Sequence, residues 1–189
     1  MIAMTPTLLR SIKSRGYLKG RLKAGIELSI HTEIYPSYLY ALQVLQAPFP
    51  KGEDVIAKSA QYSYQYAHYV LKAPFPKGED AIATNAEWAF RYALNPLKGP
   101  FPKGEDAIAK SPYWSYQYSE YVLQAPFPKG EDAIAKSAGW AYQYAKNVLK
   151  APWPKGEDAI ATDAHYSCEY ADEVLQAPWP KGENAIATS

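Results

Sequence analysis

The sequence predicts an all-α fold: a right-handed α-solenoid of short-helix/long-helix pairs with a period of 26 residues. Three observations predict it. One unit recurs without a gap, starting at Ala47, Ala73, Gly99, Ala125, Ala151 and Ala177. A fixed period of roughly 20–50 residues marks arrays whose units bury their apolar faces only against their neighbours. Every unit carries a proline-rich strap that no helix can cross, and every unit then offers a helix-capping residue followed by apolar positions at helical spacing.

Positions within a unit are numbered here as slots 1–26. Copy one reads APFPKGEDVIAKSAQYSYQYAHYVLK, and the sixth copy reaches only APWPKGENAIATS. Slots 1–4 are Ala/Gly-Pro-aromatic-Pro. Each proline disfavours helix in the residue before it, so this stretch is extended. Phe49, Phe75, Phe101, Phe127, Trp153 and Trp179 then project from a stiff strap and are expected to plug the groove between neighbouring helices. Slots 5–12, Lys-Gly-Glu-Asp-Ala/Val-Ile-Ala-Lys/Thr, predict a helix of about two turns that must dock on a neighbour, because isolated helices below ~12–15 residues are marginal in water. Its Glu-Asp pair suits the positive end of a helix dipole.

Slot 13 holds Ser59, Asn85, Ser111, Ser137, Asp163 and Ser189, all favoured N-cap types. Pro112 follows the cap in copy three, where proline is favoured at the first helical position. The second helix is expected to run to about slot 25. Its apolar slots 14, 17, 18, 21, 24 and 25 lie on one face, widened by aromatics in slots 16 and 20. The alternating YSYQY segments have strand-like period two, but the cap and the Ala-rich companions favour helix. Pro96 stands in slot 24 of copy two and is expected to end or kink that helix early.

Upstream, residues 21–46 read as a degenerate repeat that lacks the strap, with Ile30 in slot 10 and Tyr38, Tyr40, Ala41, Val44 and Leu45 in slots 18, 20, 21, 24 and 25. Residues 1–20 read as a basic capping helix, and residues 47–189 as five full repeats plus a terminal half repeat. Atypical end units are what capping an array requires. Six Lys/Arg precede the first acid, Glu27; residues 1–46 sum to +6 − 2 = +4, and residues 47–189 to +14 − 17 = −3. The basic start suits an acidic surface or nucleic acid, although the acidic later copies argue against nucleic acid. With 17 Tyr and 5 Trp the chain has enough large side chains for a long core, and disordered chains are poor in aromatics.

The Phe/Trp-Pro-Lys-Gly-Glu … Tyr-x-Tyr-Ala pattern resembles tandem-repeat proteins of bacteriophages and some bacteria. The likeness covers residues 47–189 and, more weakly, 21–46. It implies a repeat architecture, a phage origin and the host cytoplasm as location. It carries no catalytic residues over.

Chemistry was sought and not found. His31, His68 and His165 are far apart, and no Cys-x-x-Cys or His-Glu-x-x-His occurs, so no metal or other cofactor is expected. Lys-Gly-Glu-Asp lacks the glycine spacing of a phosphate loop. Cys168, the one cysteine, replaces a core aromatic and is expected to be a buried structural thiol. No apolar run approaches the ~20 residues of a membrane span, no signal-peptide order is present, and a cytoplasmic protein is expected. Copies this alike offer few exceptional residues for catalysis, so an enzyme is not expected.

Function is then sought in the slots that vary: 15, 19, 22 and 23, which share a helix face. The candidate partner-binding residues are Gln61, Gln65, Tyr69, Arg91, Leu94, Tyr113, Gln117, Tyr121, Lys146 and Glu169. The expectation is a non-enzymatic repeat protein that binds another protein, a host factor if the resemblance holds. The alternative is a structural protein that stacks end to end through its half unit.

Overall fold

The computed structural model describes residues 31–187. The expected capping helix over residues 1–20, the part of the degenerate repeat up to Ile30, and Ser189 lie outside these residues. Every element among the described residues is helical, and the helices come in repeated short and long pairs that pack on their neighbours. The chain divides between Leu97 and Lys98 into two compact units.

In the first unit, α1 (Ile34–Leu39) continues into a π-helical turn (Tyr40–Leu45). The short helix α2 (Pro50–Ile56) precedes α3 (Ala60–Gln65), which again widens into a π-helical end (Tyr66–Leu71). Next come a 3-10 turn (Pro76–Gly78), α4 (Glu79–Ile82) and α5 (Ala86–Tyr92) with its extension Ala93–Leu97. The second unit begins with a 3-10 turn (Pro102–Gly104), α6 (Glu105–Ile108) and α7 (Pro112–Tyr118), whose π-helical end is Ser119–Leu123. It continues as α8 (Pro128–Ile134), α9 (Ala138–Gln143, π end Tyr144–Leu149), α10 (Pro154–Ile160), α11 (Ala164–Glu169, π end Tyr170–Leu175) and α12 (Pro180–Ala187).

The slot-13 caps act as expected in four copies. The side chains of Ser59, Asn85, Ser111 and Asp163 accept from the slot-16 N–H at 3.4, 3.1, 3.4 and 3.1 Å. Ser137 makes no such bond. The short helix starts earlier than expected, at the slot-4 proline, because proline suits a first helical position whose N–H is unused anyway. The strap is thus only slots 1–3. The long helix is not a plain α-helix to slot 25: its last turn opens to π spacing and stops on a left-handed residue. Gln46, Lys72, Lys98, Gln124, Lys150 and Gln176, all in slot 26, have φ between 51 and 57°. The Lys72 and Ala73 N–H groups both donate back to the Ala67 carbonyl. In copy two, Asn95 is extended (φ −157°, ψ 121°), as a residue before proline prefers, and the regular helix stops there.

The slot-20 tyrosine is the centre of every copy. Tyr66, Tyr92, Tyr118, Tyr144 and Tyr170 are fully buried. Each phenol accepts the N–H of its own strap aromatic at 2.7–3.0 Å. Each also donates to the slot-7 glutamate at 3.1–3.3 Å. The ring lies against the following copy's strap aromatic, with centroids 5.1 Å apart for Tyr66–Phe75 and Tyr118–Phe127 and 4.9 Å for Tyr144–Trp153. The strap rings are therefore core, as expected. Slot-10 isoleucines are fully buried, and Ser63, Ser115 and Ser167 donate to their carbonyls at 3.0 Å.

Two sequence expectations are corrected. The Lys-Gly-Glu-Asp motif does more than suit a helix dipole. Lys77 reaches Glu53 (3.4 Å) and Asp54 (3.0 Å) of the copy before it. Lys129 pairs likewise with Glu105 and Asp106, and Lys155 with Glu131 and Asp132. The motif therefore clips copy to copy. Cys168 is exposed, not buried. Slot 18 is buried elsewhere because the next long helix lays its slot-16 ring on it, as Trp88 does on Tyr64 and Tyr166 on Tyr142. No such ring follows Cys168 among the described residues.

Candidate interaction surface

The long helices turn slots 17, 18, 20 and 21 inward, so slots 15, 19, 22 and 23 face outward or sit at the rim. Gln61, Tyr69, Arg91, Leu94, Tyr113, Tyr121 and Lys146 are exposed, and Gln65, Gln117 and Glu169 are half-buried. The large hydrophobic residues left exposed are Tyr35 (42%), Tyr69 (53%), Leu94 (36%), Tyr113 (39%) and Tyr121 (52%). Tyr35 and Tyr113 occupy slot 15, Leu94 slot 22, and Tyr69 and Tyr121 slot 23. Exposure of large apolar groups is thus confined to the variable slots.

In the first unit, Tyr35 and Tyr38 both meet Tyr62, at 5.6 and 5.5 Å. Tyr64 stacks on His68 at 5.5 Å, and His68 meets Tyr69 edge-on at 4.6 Å. Arg91 is held by Glu87 at 2.9 Å and lies 5.7 Å above the Trp88 ring. Both contacts order the guanidinium without burying it.

The second unit has a different character. Tyr113 packs between Trp114 (4.5 Å) and Trp140 (5.1 Å), and Tyr116 stacks on Trp140 at 5.4 Å. Asn147 donates to the Tyr116 hydroxyl at 2.9 Å and to Gln143 at 2.8 Å. Burial, and then the Glu120 carboxylate, push the Tyr116 phenol far up. Glu120 Oε2 is buried with no hydrogen-bond partner among the described residues. The same carboxylate raises the exposed phenol of Tyr121. Further along, Lys146 joins Glu173 and the Tyr142 hydroxyl, which itself donates to Glu173. That ammonium holds the Glu173 carboxyl below the usual range. His165 lies 3.6 Å from Glu169.

The structure brings Tyr69 to the His68–Tyr64 stack and Tyr113 to the Trp140–Tyr116 stack, while Gln61 and Gln117 join no polar cluster. Sequence reasoning missed Tyr35 as a site residue, although its slot-15 position in the degenerate repeat marked it. It also missed the pairing of slot 16 with the preceding slot 18, which gives the surface its aromatic floor. No group of three or more His, Cys, Asp or Glu suited to a metal ion occurs among the described residues. No described helix is long and apolar enough to cross a membrane.

No family model, curated protein or solved structure matches this chain. What the surface does is then a matter of its own chemistry.

Proposed function

We propose that this chain is a non-enzymatic α-solenoid protein, right-handed and of period 26, that binds another protein through the variable face of its long helices. The observation that carries this reading is the confinement of exposed large apolar groups to slots 15, 22 and 23. Random drift of a solvated face replaces apolar groups with polar ones; a binding face retains them, and tyrosine is enriched in the cores of protein interfaces. Tyrosine also brings contact area at low entropic cost. The rings rest on ordered neighbours, so little further ordering is needed when a partner arrives. The resemblance to phage repeats makes the partner a bacterial host factor and the host cytoplasm the place of action.

The test is capture from bacterial lysate with the wild-type chain, Tyr121→Ser and Leu94→Ser, and a control at exposed Lys58, which is off the variable face. The expected result is one retained protein, lost about tenfold with either surface variant and kept with Lys58→Ala, all four chains giving the same helical circular dichroism. Retention by every variant, or no specific retention, overturns the reading.

A further inference from the structure

Beyond α11, its π-helical end and α12 frame a groove of about 670 Å³ lined by Cys168, Ala171, Asp172, Trp179, Glu183 and Ile186. Its lining identifies what kind of seat it is. In copies one to five the slot-10 isoleucine is fully buried under the long helix of its own copy, whereas Ile186 in the same slot is half-exposed. Slot 18 is buried at Tyr64, Tyr116 and Tyr142, whereas Cys168 in that slot is exposed. The groove is therefore the place that a long helix fills in every preceding copy, and the repeat spells out what fits there. Slot 13 takes a cap, slots 14, 18 and 24 take apolar groups, slot 17 takes a small residue, and slot 26 takes a residue at positive φ.

Residues 177–189 supply slots 1–13. Counted back from Ala47 at the same period, residues 7–20 take slots 13–26. This register puts Thr7 in the cap slot, Leu8, Ile12 and Leu18 in slots 14, 18 and 24, and Ser11 in the small slot 17. Gly20 falls in slot 26, where the copies hold Lys or Gln at positive φ and glycine is at ease. Ser14 and Arg15 depart from the Tyr and small residue of slots 20 and 21. Charge agrees with the fit. Residues 7–20 carry Arg10, Lys13, Arg15 and Lys19 and no acid, while the groove presents Asp172 and Glu183, with Glu169 on the same helix as its wall. We infer that the groove of one molecule seats residues 7–20 of a second copy, so that two half units join into one composite repeat and the molecules associate head to tail.

The seat and the ladder of variable slots are separate features, so this association stands apart from partner binding. The test is light scattering of the 189-residue protein over a concentration series, with the maleimide reactivity of Cys168 followed in parallel. The expected mass rises from 21.1 kDa toward the dimer and beyond, and Cys168 labelling slows in step. Cys168→Trp fills the seat from an exposed position and is expected to keep its helical circular dichroism while remaining at the monomer mass. Arg10→Glu with Lys13→Glu, and separately Asp172→Lys with Glu183→Lys, are each expected to stay monomeric alone and to associate when mixed. A mass fixed at the monomer value overturns the inference, as does association that survives Cys168→Trp or either charge reversal. Protection of Cys168 that does not depend on concentration also overturns it, because the segment would then be folding back on its own molecule.

Discussion

At the scale of the residue, one hydroxyl does three jobs in each copy. Tyr144 accepts the Phe127 N–H at 3.0 Å, donates to Glu131 at 3.2 Å, and sets its ring on Trp153. Replacing it with Phe keeps the ring and leaves a buried N–H without an acceptor. An unsatisfied buried donor costs about 1–3 kcal/mol. Tyr144→Phe is therefore expected to lower the urea midpoint by that free energy, whereas Tyr121→Phe at the exposed face stays within ~0.5 kcal/mol. Slot 26 offers the opposite sign. Lys150 sits at φ 53°, a conformation that costs an L-residue about 1–2 kcal/mol, against roughly 0.5–1 kcal/mol for the extra entropy glycine loses on folding. Lys150→Gly is expected to stabilise the protein by about 0.5–1 kcal/mol in the same titration.

At the scale of the element, the slot-6 glycine shows why the short helix and the preceding long helix approach so closely. Gly130 has ordinary helical dihedrals. What it lacks is room: a Cβ there would stand 2.5 Å from both the Phe127 ring and Ser115 Oγ. Overpacking of this kind costs about 1–3 kcal/mol, so Gly130→Ala is expected to lower the melting temperature and to speed hydrogen exchange in α7 and α8 first. The short and long helices, their caps and the strap were legible in the sequence because each depends on residues within one unit. The slot-6 approach was not, since it needs slot 17 of the copy before. The same holds for the lysine clip. Lys155 and Glu131 are 24 residues apart, and in identical copies the sequence reads the same whether Lys-Gly-Glu-Asp pairs within a copy or between two. Nothing in the residue pattern marks the widening to π spacing. Cys168 was misjudged because burial in slot 18 is conferred by the following helix, not by the residue itself. The candidate surface was legible through variation among slots, yet its aromatic floor again needed contacts across copies.

At the scale of the whole molecule, repetition multiplies whatever one copy does, and the buried phenols make this visible in pH. Burial pushes Tyr66, Tyr118 and Tyr170 up to about 12, with the slot-7 carboxylates adding to the shift, and it raises Tyr92 and Tyr144 in the same direction. An unfolded chain ionises its tyrosines near pH 10. Below that value both states are protonated and the stabilisation is fully present. Between about 10 and 12 the unfolded state loses protons that the folded state keeps, so stability falls with a slope of up to ~1.4 kcal/mol per pH unit for each phenol. Because every full copy carries one, the slopes accumulate along the chain. Thermal melts followed at 222 nm are expected to be flat from pH 8 to 9.5 and to fall steeply from 10 to 12, with the 295 nm absorbance of tyrosinate rising in the same window as the helix signal is lost. Tyr144→Phe is expected to make that decline shallower while lowering the plateau, because it removes one titrating group together with its hydrogen bonds. A decline as steep in the variant as in the wild type would mean that the slot-20 tyrosines do not set the alkaline limit.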